Sequence, residues 1–180
     1  MTTWIALLRG INVGGHHKLP MQDLRELLAN LDCNDVKTYI QSGNAVFNSA
    51  AQPVELLTDI RAAIEQQFGF APGVQIYSLA DYESILAANP FRAAAEDPRA
   101  LHITFLKTSA KAANTAALDG LRSGAEDFQL TERAFFLYAP DGIGRSKLAA
   151  KIEASLGVPG TSRNWRSARK ILELAESIAA

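Results

Sequence analysis

Val36-Lys37-Thr38-Tyr39-Ile40-Gln41-Ser42-Gly43-Asn44-Ala45-Val46-Phe47-Asn48 is the stretch on which the fold turns. Residues 36–41 and 45–48 are rich in β-branched and aromatic side chains, and Ser42-Gly43-Asn44 between them is turn chemistry. The stretch therefore reads as a β-hairpin. Upstream, Pro20 suits the first turn of a helix, where its missing N–H would have no partner anyway. Leu24, Leu27, Leu28 and Leu31 follow at helical spacing. Before them, residues 3–9 form a compact apolar strand. Downstream, Pro53 opens a second helix with Leu57, Ile60, Ile64 and Phe68 on one face, and Gly69 stands where that helix should end. Residues 74–79 read as a fourth strand and 81–88 as a short helix.

The same order then recurs. Residues 89–100, with Pro90, Pro98 and interleaved charges, read as a joint. Beyond it come a strand at 101–107, a helix at 109–121, a hairpin at 127–130 and 134–139, and a helix at 146–156. A weak strand near Val158 and a closing helix at 164–178 complete the chain. Strand-helix-strand-strand-helix-strand, twice, predicts an α+β fold of duplicated ferredoxin-like split βαβ units (βαββαβ twice) plus a C-terminal helix. The expected halves are 1–88 and 101–180.

Composition bounds the function. The chain has 180 residues, 48% of them hydrophobic and 21% charged, which suits a folded globular protein rather than a disordered one. No apolar run approaches the roughly 20 residues of a membrane span. The start, Met1 to Arg9, lacks the basic segment of a secretory signal. The single cysteine, Cys33, rules out an internal disulfide framework. A cytoplasmic protein without membrane attachment is the expectation. Net charge is −1. Residues 141–180 nevertheless hold seven basic and four acidic side chains, whereas 49–140 hold seven basic and eleven acidic. Duplex binding normally needs a broader positive field than this.

Arg9-Gly10-Ile11-Asn12-Val13-Gly14-Gly15, Thr38-Tyr39-Ile40-Gln41-Ser42-Gly43-Asn44, Asp141-Gly142-Ile143-Gly144-Arg145-Ser146-Lys147-Leu148 and Thr161-Ser162-Arg163-Asn164-Trp165 occur in this order. As a set they resemble a bacterial family catalogued as domain of unknown function 1697, essentially from end to end. The resemblance implies a compact α+β fold and a cytoplasmic bacterial protein. It brings no reaction, substrate or catalytic residue with it.

Two groups of residues are candidates for ligand contact. In a split βαβ unit the loop after the first strand and the hairpin turn lie at one end. That places Arg9, Gly10, Asn12, Gly14, Gly15 and Lys18 beside Ser42, Gly43 and Asn44. Glycines let backbone approach a ligand, the amides and hydroxyl offer hydrogen bonds, and a glycine-rich loop entering a helix suits an anion. Neither the Walker spacing nor the dinucleotide fingerprint is met, and the alternative is that these residues only shape tight turns.

The second group is Arg145, Ser146, Lys147, Arg163 and Asn164. Cations at helix starts oppose the helix dipole, and a bound anion would relieve that conflict. The alternatives are pairing with Asp141 or Asp127, or simple solvation. If the two halves bring both groups together, they would form one composite site.

Other chemistries fit poorly. His16 and His17 are adjacent and point apart, and His102 has no metal ligand at suitable spacing, so no metal site is expected. Carboxylates beside Cys33 would raise its thiol pKa. Ser42 and Ser146 lack a nucleophile elbow. Neither a cofactor nor covalent catalysis is indicated, and whether any reaction is catalysed stays open. Trp4 and Trp165 read as core. The best expectation is a protein binding a small phosphate- or carboxylate-bearing ligand. The alternatives are a single-stranded RNA or DNA module using Tyr39, Phe136 and Tyr138, and an interaction or oligomerisation module without a small ligand.

Overall fold

The computed structural model describes residues 1–97 and 99–179. Pro98, one of the two prolines of the expected joint, lies outside the described residues. Among these residues the fold is mixed α+β, with two four-stranded antiparallel sheets and six α-helices. The chain divides into two compact units, Met1–Ser84 with Arg169–Ala180, and Ile85–Ala168.

The first unit runs β1 (Thr2–Arg9), α1 (Met21–Asn30), β2 (Asn34–Thr38), β3 (Asn44–Ser49), α2 (Pro53–Phe68), β4 (Gly73–Ser78) and α3 (Leu79–Ala87), with α3 crossing into the second unit. Its sheet order is β2-β3-β1-β4. Pro20 occupies the position before α1, one residue earlier than expected. Gly69 closes α2 in the left-handed conformation, φ 76°. The helices bury Leu24, Leu28, Leu56, Ile60 and Ile64 against Trp4, Ala6, Leu8 and Phe47 of the sheet. Leu56 joins Ile60 and Ile64 as buried positions four residues apart, while Leu57 and Phe68 pack half-buried against the same core.

The second unit runs β5 (Leu101–Leu106), α4 (Thr115–Asp119), β6 (Asp127–Leu130), β7 (Ala134–Tyr138), α5 (Ile152–Leu156), β8 (Gly160–Asn164) and α6 (Trp165–Glu176), with α6 ending in the first unit. Its sheet order is β6-β7-β5-β8. The stretch near Val158 is thus followed by a full strand pairing with β5. Leu118, Phe135, Leu137, Leu148, Ile152 and Leu156 form the core on the helix side. Trp165 packs against Phe136 at 6.4 Å between ring centroids, so the closing helix opens on a core residue.

Three elements depart from expectation. The alanine-rich 109–121 stretch is helical only at Thr115–Asp119, because Asn114 caps that turn by accepting from the Ala117 N–H at 3.0 Å. The 146–156 stretch is not one helix: 3₁₀ turns at Ile143–Arg145 and Ala149–Lys151 precede a five-residue α5. β2 ends at Thr38 rather than Gln41, because Ile40 takes φ 48° and turns the chain out of the extended conformation; Asp35, at φ 53°, is accommodated within β2 at a shift in register against β3.

Candidate functional site

The glycine loop and the hairpin turn of the first unit meet, as the topology requires. Asn12 joins them. Its Nδ2 donates to the Leu19 carbonyl at 2.9 Å and to the Gln41 carbonyl at 2.8 Å, while its Oδ1 accepts the Leu19 N–H at 2.8 Å. Asn12 adopts φ 53°, a conformation asparagine tolerates better than most residues. A second clasp comes from the backbone, where the Leu8 N–H donates to the Gly43 carbonyl at 2.8 Å. Gly43 sits at φ 80°, and a Cβ there would stand 2.7 Å from both Leu8 Cβ and Ile11 Cδ1. Asn44 is buried and donates to the Tyr39 carbonyl and to Ser42 Oγ. Within this group Asn12, Gly43 and Asn44 are framework.

Outside that framework the surface is exposed and carries two cations, Arg9 and Lys18. Arg9, Gly14, Gly15, His16, His17 and Lys18 are exposed. Gly14 and Gly15 take φ 58° and 81°, forming a turn closed by the His16 N–H donating to the Val13 carbonyl at 3.0 Å. Among the described residues, the N–H groups of Gly14, Gly15 and Lys18 have no protein acceptor. His17, weighed in the sequence only as a metal ligand, has a structural role in the loop. Its Nδ1 lies 2.8 Å from the Gly10 carbonyl, and its ring stacks on Phe70 at 4.6 Å, fixing the loop from the other side. Arg25 also reaches this end, donating to Thr38 Oγ1 at 2.7 Å.

The second group is placed differently from expectation. Arg145 ends a 3₁₀ turn and Lys147 follows it, so neither stands at the start of a regular helix. Both are exposed and unpaired among the described residues; Asp127 pairs with Arg122 instead, at 2.9 Å. Ser146 is buried, accepts the Ala149 N–H at 3.0 Å, and hydrogen-bonds the Glu126 carboxylate. Burial works against ionisation of Glu126, but hydrogen bonds from Ser146 and from the Ser123 N–H and hydroxyl outweigh it and hold the carboxyl below its usual value. Asn164 caps α6 by accepting the Ser167 N–H at 2.8 Å, and Arg163 donates to the Ser162 carbonyl. Ser146 and Asn164 thus have framework roles, leaving Arg145 and Lys147 as the open cations of the group.

A cavity of about 190 Å³ lies in the second unit. His102, Thr104, Leu137, Gly160 and Ser162 of the sheet form one wall. Ile143, Ala149, Ala150, Ile152, Glu153 and Leu156 face them. Thr104 Oγ1 and Ser162 Oγ are 2.7 Å apart. His102 lies 3.0 Å through Nε2 from the Arg99 carbonyl, and burial lowers its pKa despite that bond. The sequence signal was the polar pair His102 and Thr104 at alternate positions of an otherwise apolar strand, on one face of β5.

Cys33 is buried and its thiol is pushed up to about 11 by burial and by the Asp32 charge, against a hydrogen bond with Ser49. Among the described residues no three His, Cys, Asp or Glu side chains gather as a metal site would require. No helix among them is long and apolar enough to cross a membrane.

The sequence pattern of the family described as "Protein of unknown function (DUF1697)" matches residues 1–136. That span contains the glycine loop and the hairpin turn and stops before Arg145. The conserved bacterial protein SP0830 from Streptococcus pneumoniae has a similar fold, with a TM-score of 0.73 and 24% identity over 97% of this chain and 98% of that one. No curated protein matches the sequence.

Proposed function

We propose, for a chain that belongs to the family of proteins of unknown function DUF1697, that it recognises a small phosphate- or carboxylate-bearing ligand at the glycine loop of its first unit. One observation carries this reading. The loop is held by Asn12 in a fixed shape, with the unpartnered amides of Gly14, Gly15 and Lys18 lying between the exposed cations Arg9 and Lys18 in the chain. Amides in a preformed turn bind anions without first ordering the backbone. Positive φ at Ile40, a β-branched residue, adds support, since strain of this kind collects at functional sites. Arg145 and Lys147 form a second, weaker anion candidate within the other unit. We read each unit as a ferredoxin-like split βαβ unit, because the order β2-β3-β1-β4 recurs as β6-β7-β5-β8.

The test is a thermal-shift series with inorganic phosphate, nucleoside monophosphates and dicarboxylates. Stabilisation by one class, reduced at least tenfold in affinity by Arg9→Ala or Lys18→Ala, is the expected result. No stabilisation by any of them, or stabilisation that both variants leave intact, would end the proposal.

An interaction surface is the second reading, favoured by Val13 and Ile40, 68% and 50% exposed. Light scattering of wild type beside Val13→Asp and Ile40→Asp separates the two, since only this reading expects an assembly that the aspartates dissolve. The nucleic-acid reading is weaker, because Phe136 is fully buried and Tyr138 stacks on Phe91.

A further inference from the structure

The cavity of the second unit differs in chemistry from the glycine loop. No lysine or arginine lines it, and its one carboxylate, Glu153, is exposed. Thr104 is 7% exposed, so its hydroxyl is a buried polar group, whereas Ser162 is exposed. When one of these two hydroxyls donates to the other, the proton of the acceptor hydroxyl and spare lone pairs on both remain. Neither has another side-chain partner among the described residues. The remaining lining is mainly aliphatic: Leu137, Ile143, Ala149, Ile152, Leu156 and Val158.

Size and polarity together select the ligand. An apolar cavity of ~150 Å³ accepts benzene, so about 190 Å³ takes a ring or short branched chain with one small head group. No lysine or arginine of the lining would receive an anionic head. A purely apolar ligand would leave the Thr104 and Ser162 hydroxyls unanswered.

We propose that this cavity is a binding site for a small uncharged molecule with an apolar body and one hydrogen-bonding head, of the alcohol or carboxamide class. The head exchanges hydrogen bonds with the Thr104–Ser162 hydroxyl pair, and the body lies against Ile152 and Leu156. The site belongs to the second unit alone and does not depend on the anion reading of the first.

The experiment is a titration of the full-length, isotope-labelled protein with benzyl alcohol, toluene and benzoate, followed by amide chemical shifts. Benzyl alcohol is expected to move the resonances of Thr104, Ile152, Leu156 and Ser162. Benzoate should bind at least tenfold more weakly. Thr104→Val keeps the shape and removes the hydroxyl; it should weaken benzyl alcohol at least fivefold and leave toluene unchanged. Ala150→Phe fills the cavity and should abolish both, and each variant's dispersed spectrum reports that it is folded. The proposal is overturned if those resonances stay still to the solubility limit, if benzoate binds as well as the alcohol, or if Thr104→Val changes alcohol and toluene equally.

Discussion

Gly43 and Leu8 are clasped: the Leu8 N–H donates to the Gly43 carbonyl at 2.8 Å, and any Cβ on Gly43 would stand 2.7 Å from Leu8 Cβ. The hairpin turn and the end of β1 thus touch backbone to backbone, which only glycine permits.

Gly43→Ala therefore carries two penalties. The left-handed conformation costs an alanine about 1–2 kcal/mol, and crowding in a packed core adds about 1–3 kcal/mol. For a chain of this size a loss of about 3 kcal/mol lowers Tm by roughly 6–12 °C. Calorimetry on the variant measures it directly. A fall of under about 2 °C would mean that the turn relaxes freely.

Asn12 shapes the same end by different means. Asn12→Ala removes three hydrogen bonds and leaves the Leu19 N–H and two carbonyls to find water, a loss of about 1–3 kcal/mol. Asn12→Gly makes the same deletion but keeps easy access to φ 53°, so it should be the more stable of the two. Urea titration of both variants gives the order. Equal stabilities would show that the conformation, φ included, contributes nothing.

The sequence and the structure agree best where one residue type has one physical use. Pro53 and Gly69 bracket α2 as their backbone chemistry demands. Agreement fails where local propensity and tertiary context compete. Ala112, Ala113, Ala116 and Ala117 favour helix, yet the Asn114 N–H is engaged by the Ser155 carbonyl at 2.8 Å, and the helix waits for that cap. Asn12, Asn44, Ser146 and Asn164 look alike in sequence to ligand-binding amides and hydroxyls. Only the structure shows the internal hydrogen bonds that each of them makes. The cavity was less legible still, because its walls come from β5, β7 and β8 and from the 143–156 segment, and no spacing rule joins such distant stretches.

Cys33 should be chemically silent. With its thiol pushed up to about 11 and its side chain buried, the reactive thiolate is scarce at neutral pH. Ellman's reagent should label the native protein at a rate set by unfolding and label it fully in guanidinium. Rapid labelling of the folded protein at pH 7.5 would contradict the burial.

Acid should act on stability in two separate windows. Burial depresses the His102 pKa below the ordinary imidazole value of 6.5, so between the two values the unfolded chain binds the extra proton. By linkage, stability rises with pH across that interval: the contribution of neutral His102 is complete above 6.5 and is lost as pH falls from there through the folded value. Glu126 follows the same sign lower down. Its carboxyl is held below 4.5, so its contribution is present above that pH and fades as acid protonates it in the fold. A Tm profile from pH 8 to 3 should therefore bend twice. His102→Gln should flatten the slope that sets in as pH falls below 6.5 and leave the lower bend intact, while Glu126→Gln should do the reverse. An unchanged upper slope in His102→Gln would show that this imidazole titrates as freely in the fold as in the unfolded chain, and that burial by the cavity wall exacts no cost from its charged form.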